Sequence, residues 1–178
     1  MENKAKTRTE QILTITHILA WVAFIGFMIA GGGLLVTYGI SYGNPEAARD
    51  LFMDLDLYDL RQFDFWYYTN TISFMVALSV MKSYICYLVI KTMSAFNMRN
   101  PFTAEVASKL ETISYVAFGT WAVGILSNAN TRWLLKKTGT LHGDLVSVEF
   151  IWVVALVFII SQVFKRGVEI QTENDLTV

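Results

Sequence analysis

The stretch Ile12–Tyr38, ILTITHILAWVAFIGFMIAGGGLLVTY, carries no Asp, Glu, Lys or Arg. It exceeds the about 20 helical residues needed to cross a hydrocarbon core of about 30 Å. Three further apolar runs follow at Trp66–Ile90, Ile113–Leu135 and Leu145–Phe164, each with few formal charges. The chain is therefore expected to be an all-α polytopic membrane protein, a four-transmembrane-helix bundle forming a single membrane domain over residues 1–178. Its helices are expected at about 12–38, 66–90, 104–135 and 145–166, with an acidic outer loop at about 39–65 and a cytoplasmic tail at about 167–178.

Composition agrees. Hydrophobic residues make up 54% of the 178, and aromatic residues 14%, against about 45–50% apolar in soluble domains. The formal net charge of −1 excludes a generally basic nucleic-acid binder, so no direct nucleic-acid contact is expected. Cys86 is the single cysteine, so neither an intramolecular disulfide nor a cysteine metal cluster is available. Lys4, Lys6 and Arg8 precede the first run, but that run is far longer than the about 7–15 residues of a signal-peptide core. It reads as a retained helix. Ala23, Gly26, Ala30 and Gly33 alternate at spacings of three and four, forming a stripe of small residues on which another helix could pack closely.

Lys and Arg set the expected orientation. The two tails and the second loop hold Lys4, Lys6, Arg8, Lys91, Arg99, Lys109, Lys165 and Arg166. The first and third loops hold Arg49, Arg61, Arg132, Lys136 and Lys137. Eight against five favours both termini in the cytoplasm. In the first loop, Asn44-Pro45-Glu46 has the order of an N-cap, a first-turn proline and a first-turn acid. A short surface helix could bury Leu51, Leu55 and Tyr58 on one side, although Met53 to Leu57 also alternates as a strand does. The loop acids lack calcium-loop spacing and read mainly as a solvated face.

Lys82 stands out, because a cation on a membrane helix is costly unless it is paired, hydrated or snorkelling. Ser79, Lys82, Ser83 and Cys86 share one side of their helix, which should face the bundle. Glu149 is the obvious carboxylate but falls about 10 Å nearer the outer face. Thr120 and Trp121, or Trp21 on the first helix, lie nearer the level of Lys82. A hydroxyl, an aromatic face or trapped water is therefore expected to hold the ammonium, the alternative being a lysine that snorkels to the inner interface. His17 and His142 fall at opposite faces and cannot share a metal or haem. Asn128 and Asn130 are expected to end the third helix, ahead of a basic turn over Thr131 to His142 with Trp133 as an interface anchor. No nucleophile elbow, zinc motif, phosphate loop or Cys-x-x-Cys pair is present, so neither enzymatic activity nor a cofactor is expected.

Two segments carry the most specific pattern. Phe96 to Thr103 makes a turn containing Pro101-Phe102, after which Thr103 caps a helix with Glu105 in its first turn. The fourth run ends in Phe164-Lys165-Arg166-Gly167 and leads to Asp175-Leu176-Thr177-Val178. On these residues the chain resembles the bacterial membrane-protein family called domain of unknown function 2975. That family has four predicted membrane helices, a Pro-Phe turn before the third, and a closing Phe-x-x-Gly that leads to Asp-Leu-Thr-Val. Val106 stands where the family often has Asn, and Ile170 where Leu is usual.

Family members are commonly encoded beside a small Cro-type helix-turn-helix regulator. The resemblance thus implies a non-enzymatic regulatory or scaffold protein that binds or sequesters that regulator through Pro101, Phe102, Phe164, Gly167, Asp175, Leu176 and Val178. Leu176 and Val178 would anchor the contact, with Glu169, Glu173 and Asp175 facing a basic surface. In the alternative, Lys165 and Arg166 anchor the helix at headgroups and the tail folds back on the bundle. A second function class is a small transporter or channel subunit, homo-oligomeric or joined to another membrane subunit. Lys82 and the polar side of its helix would then line a solute path.

Overall fold

A computed structural model describes residues 8–96, 101–140, 146–147 and 149–175. Five α-helices are described: α1 (Arg8–Gly43), α2 (Tyr58–Phe63), α3 (Phe65–Ala95), α4 (Ala104–Thr138) and α5 (Phe150–Asp175). Four of them are long and apolar enough to cross a membrane, over Glu10–Gly43, Phe65–Ala95, Ala104–Thr138 and Phe150–Asn174. The protein is an all-α, multi-pass membrane protein by these spans.

The four long helices pack in chain order, α1 on α3, α3 on α4 and α4 on α5. Each pair is antiparallel. Tyr38 meets Thr69 and Phe24 meets Tyr87 between α1 and α3. Asn70 meets Asn130 and Met81 meets Gly119 between α3 and α4, while Phe102 and Tyr115 meet Phe164 and Phe158 between α4 and α5. The start of α1 and the end of α5 therefore share one end of the row, here the terminal end. Contacts to α1 and to α4 leave roughly opposite sides of α3, and among the described residues α1 and α5 lack the packing that would close a ring. The bundle is an open row with α1 and α5 at its edges.

The residues joining α1 to α3 form a compact cap at the other end. Asn44 accepts from the Glu46 N–H and caps a 3₁₀ turn, Pro45–Arg49, so the Asn-Pro-Glu expectation holds in a tighter helix. Of the two readings left open for this stretch, Leu51 and Leu55 do not follow the helical one. They pair in an isolated antiparallel bridge, and the reversal between them uses left-handed backbone at Met53 (φ 67°) and Asp54 (φ 56°). Ala48, Leu51, Leu57 and Leu60 are fully buried against Tyr68, Ile72 and Leu134. A water-facing segment must bury its own apolar groups, whereas the spans keep theirs outward toward lipid, as at Ile18, Val22, Leu126 and Ile159.

Helix ends are satisfied locally. Asp64 accepts from the Trp66 and Tyr67 N–H groups at the start of α3, and Thr103 accepts from the Val106 N–H at the start of α4. Gly139, at φ 74°, provides the left-handed cap that ends α4. The last turn of α1 has no basic residue. Arg61 of α2 reaches back and donates to the Ser41 carbonyl at 2.6 Å and the Tyr42 carbonyl at 3.3 Å, placing a cation at the negative end of the helix.

Several expectations are corrected. The expected small-residue stripe does not serve α3: Gly26 faces open space, and the place of a Cβ on Gly33 is taken by the Phe52 ring of the cap. The close approach of α3 falls at Gly31, beside Ser79. Asn128 and Asn130 lie inside α4 rather than at its end, because the helix continues through Thr138. Among the described residues the fourth long helix starts at Phe150 and runs on to Asp175 through the expected tail. Leu145, His142, Arg99 and the other residues of 97–100, and the segments 1–7 and 176–178, lie outside the described residues.

Candidate functional sites

Lys82 lies in a stripe on α3, Tyr68, Ile72, Met75, Ser79, Lys82 and Cys86, at alternating spacings of four and three. Tyr68 and Ile72 belong to the core under the cap, so Lys82 stands three to four turns below it on the same face of the row. Its ammonium lies 5.7 Å from the centroid of the Phe27 ring on α1. An aromatic face does approach it, from Phe27 rather than Trp21, whose indole N–H instead donates to His17 at 3.1 Å. Thr120 is buried, and its hydroxyl donates to the Val116 carbonyl of its own helix at 2.8 Å. Ser79 donates likewise to Met75. Such back-bonding is how a hydroxyl satisfies its donor in an apolar layer, and among the described residues no side-chain oxygen pairs with Lys82. Glu149 is exposed just ahead of α5, and α4 stands between it and Lys82.

The lead-in to α5 sits unexpectedly deep. Val146 packs against Gly124, whose added Cβ would come within 2.9 Å of the Val146 side chain. The Asn128 amide donates to the Val146 carbonyl at 2.7 Å and accepts the Val146 N–H at 2.8 Å. Asn128 precedes Gly139 by eleven residues, about 16 Å of helix. Non-helical backbone at that depth needs an internal partner for both polar groups, and a primary amide supplies both. Sequence reasoning missed this role. The available signal was an amide inside an apolar run, four residues after a glycine.

At the terminal end, Phe102, Phe164 and Gly167 form one junction, directly after Pro101. The Phe102 and Phe164 rings lie 5.2 Å apart, and an added Cβ on Gly167 would meet the Phe102 ring at 2.5 Å. The Phe-x-x-Gly pattern thus sets an aromatic and a gap on α5 to receive the ring that precedes α4. Lys165 bridges to Glu111 of α4 at 3.5 Å, and Arg166 pairs with Glu169 at 2.7 Å. Asp175 is the last residue of α5, eight residues or about 12 Å beyond Gly167. Leu176 and Val178 lie outside the described residues. At the same end of the row a groove of about 410 Å³ opens between α1 and α3, lined by Glu10, Leu13, Thr14, His17, Met93 and Phe96.

The loop acids have specific local roles. Arg49 donates to Glu46 at 2.7 Å and the Tyr58 hydroxyl donates to its other oxygen at 2.9 Å, which together hold the Glu46 carboxyl below its usual range. The Arg49 guanidinium also lies 3.8 Å from the Tyr58 ring centroid. Asp56 accepts from the Tyr58 N–H, and Asp64 caps α3. Among the described residues no three His, Cys, Asp or Glu side chains converge as a metal site would require.

No curated protein and no solved structure matches the chain. A family model described as "Protein of unknown function (DUF2975)" matches residues 8–178. With the four spans, the Pro-Phe turn and the Phe-x-x-Gly junction all inside that match, the chain belongs to the DUF2975 family.

Proposed function

We propose that the protein is a non-enzymatic regulatory or scaffold protein of the bacterial cytoplasmic membrane, with the terminal end of its row in the cytoplasm. Its α5 extension binds a small helix-turn-helix regulator there. The observation that carries this reading is that α5 continues to Asp175 with Glu169 and Glu173 exposed in its final turns and no basic residue in the last one. Carboxylates at a helix C-terminus oppose the helix dipole, and Arg166 is the cation of this chain that offsets them, through its pair with Glu169. A basic partner surface would relieve that opposition and be selected by it. The Phe102–Gly167 junction sets the direction in which this acidic helix leaves the membrane.

The test compares mild-detergent purifications of the intact protein and of a version ending at Gly167 from native cells, with co-purifying proteins identified by mass spectrometry. A helix-turn-helix protein recovered only with the intact helix supports the reading, and its absence from both removes it. The transporter or channel-subunit reading is favoured by one observation, a half-buried Lys82 with an aromatic ring as its neighbour. Loss of solute flux in Lys82→Met with partner binding retained would establish that second reading.

A further inference from the structure

Lys82 lies inside the α3 span and Glu149 directly ahead of the α5 span, and neither takes part in an ion pair among the described residues. Intramembrane charges are retained where they pair with one another or line a polar path. Within one chain these two cannot meet, because α3 and α5 pack on different sides of α4. Both nevertheless border one face of the row, at depths that differ by no more than two long side chains can span. Lys82 belongs to the cap-bearing stripe of α3. The buried residues Thr120, Gly124, Asn128, Thr131 and Leu134 continue that face on α4, and Leu134 lies in the core under the cap. Val146, three residues before Glu149, rests on Gly124 and Asn128 of that same face.

Depth follows from contacts along α4. Met81 packs on Gly119, which places Lys82 beside that level. Glu149 follows the Gly124 contact, about five residues or 8 Å nearer the cap end. Copies inserted in the same orientation preserve this offset, and it lies within the combined reach of a lysine and a glutamate side chain. The row is open, so among the described residues no helix of the same chain closes over this face.

We infer that the cap-bearing faces of two copies of this chain meet in the membrane, with Lys82 of one copy paired to Glu149 of the other. The occupant is a second copy because the chain itself supplies the complementary charge beside the same face, at an offset the two side chains can span. Phe27 then serves as a wall that keeps the Lys82 ammonium oriented until the carboxylate arrives.

The experiment uses energy transfer between donor- and acceptor-tagged full-length chains reconstituted together in liposomes, with lipid dilution as the control for chance proximity. Wild-type copies are expected to associate beyond that control. Lys82→Glu and Glu149→Lys chains are each expected to lose at least about tenfold in self-association, a change equivalent to 1.4 kcal/mol. Mixed together, these two variants are expected to pair as well as wild type, since each supplies the charge the other lacks, and that recovery also shows that both are folded. Should either reversal fail to insert, Lys82→Met and Glu149→Gln replace them, and undiminished association in both overturns the inference. Wild-type chains that associate no more than the dilution control overturn it as well, as do reversal variants that self-associate normally or fail to recover on mixing.

Discussion

Asn128 holds Val146 by both backbone groups, donating at 2.7 Å and accepting at 2.8 Å. Through this one side chain α4 determines where α5 begins. The helix starts at Phe150, four residues after the contact, so the amide substitutes for the helical hydrogen bonds that Val146 does not make.

Replacing Asn128 with Ala is expected to destabilise the fold by about 1–3 kcal/mol for each backbone group left without a partner. Asn128→Asp retains the acceptor for the Val146 N–H but loses the donor and buries a charge, so it should be at least as harmful. Denaturant unfolding in detergent, followed by tryptophan fluorescence, measures both. Equal stability of Asn128→Ala and wild type would remove the role given to this residue.

A second prediction concerns the cap. The Phe52 ring occupies the place a Cβ on Gly33 would take, and the Phe52 N–H approaches the Thr37 hydroxyl at 3.4 Å, one turn farther along α1. Gly33→Ala should therefore push the ring out at a cost of about 1–3 kcal/mol. Combining it with Phe52→Ala should cost less than the sum of the two single changes, because the smaller side chain vacates the disputed space. Limited proteolysis between Asn44 and Asp64 reads the cap directly.

The spans were legible because hydropathy is a local property summed over about 20 residues. Thr103 and Asn44 were legible as caps for the same reason, since a cap and its helix are neighbours in sequence. The partners of Gly33, Asn128 and Gly167 were not. In each case the group that explains the residue lies 18 or more positions away and arrives through tertiary packing. The continuation of α5 was hidden by Gly167 and the acids after it, which resemble a helix stop until the Phe102 ring is seen to need the gap. Lys82 was found from its cost in lipid, but Phe27 could not be chosen over Trp21 without the rotation of α1.

Acid should loosen the cap selectively. Arg49 first, and then Tyr58, hold the folded Glu46 carboxyl below its usual value. Opening the cap therefore raises its proton affinity. The stabilisation is complete above the ordinary carboxylate range and is lost as pH falls through the lowered folded value. Hydrogen exchange over residues 45–58, taken as the ratio of wild type to Glu46→Gln at each pH, should show wild-type protection at neutral pH that disappears on acidification. A ratio that stays constant with pH would show that this carboxylate does not hold the cap.

The terminal-end junction separates a structural from a binding role within one helix. Gly167→Ala places a methyl group where the Phe102 ring now lies, and should cost about 1–3 kcal/mol while turning the α5 extension away from its present course. Glu173→Lys, six residues farther on, leaves that packing untouched and replaces an acid by a base where the helix dipole favours a cation. Its stability should stay within about 0.5 kcal/mol of wild type or rise slightly. If the acidic end recruits a basic regulator, partner recovery falls in both variants, but only Gly167→Ala also lowers the unfolding midpoint. Recovery that survives Glu173→Lys together with Glu169→Lys would mean that the carboxylates do not recruit the partner, and would transfer any docking to the Phe102 junction or to the groove beside His17.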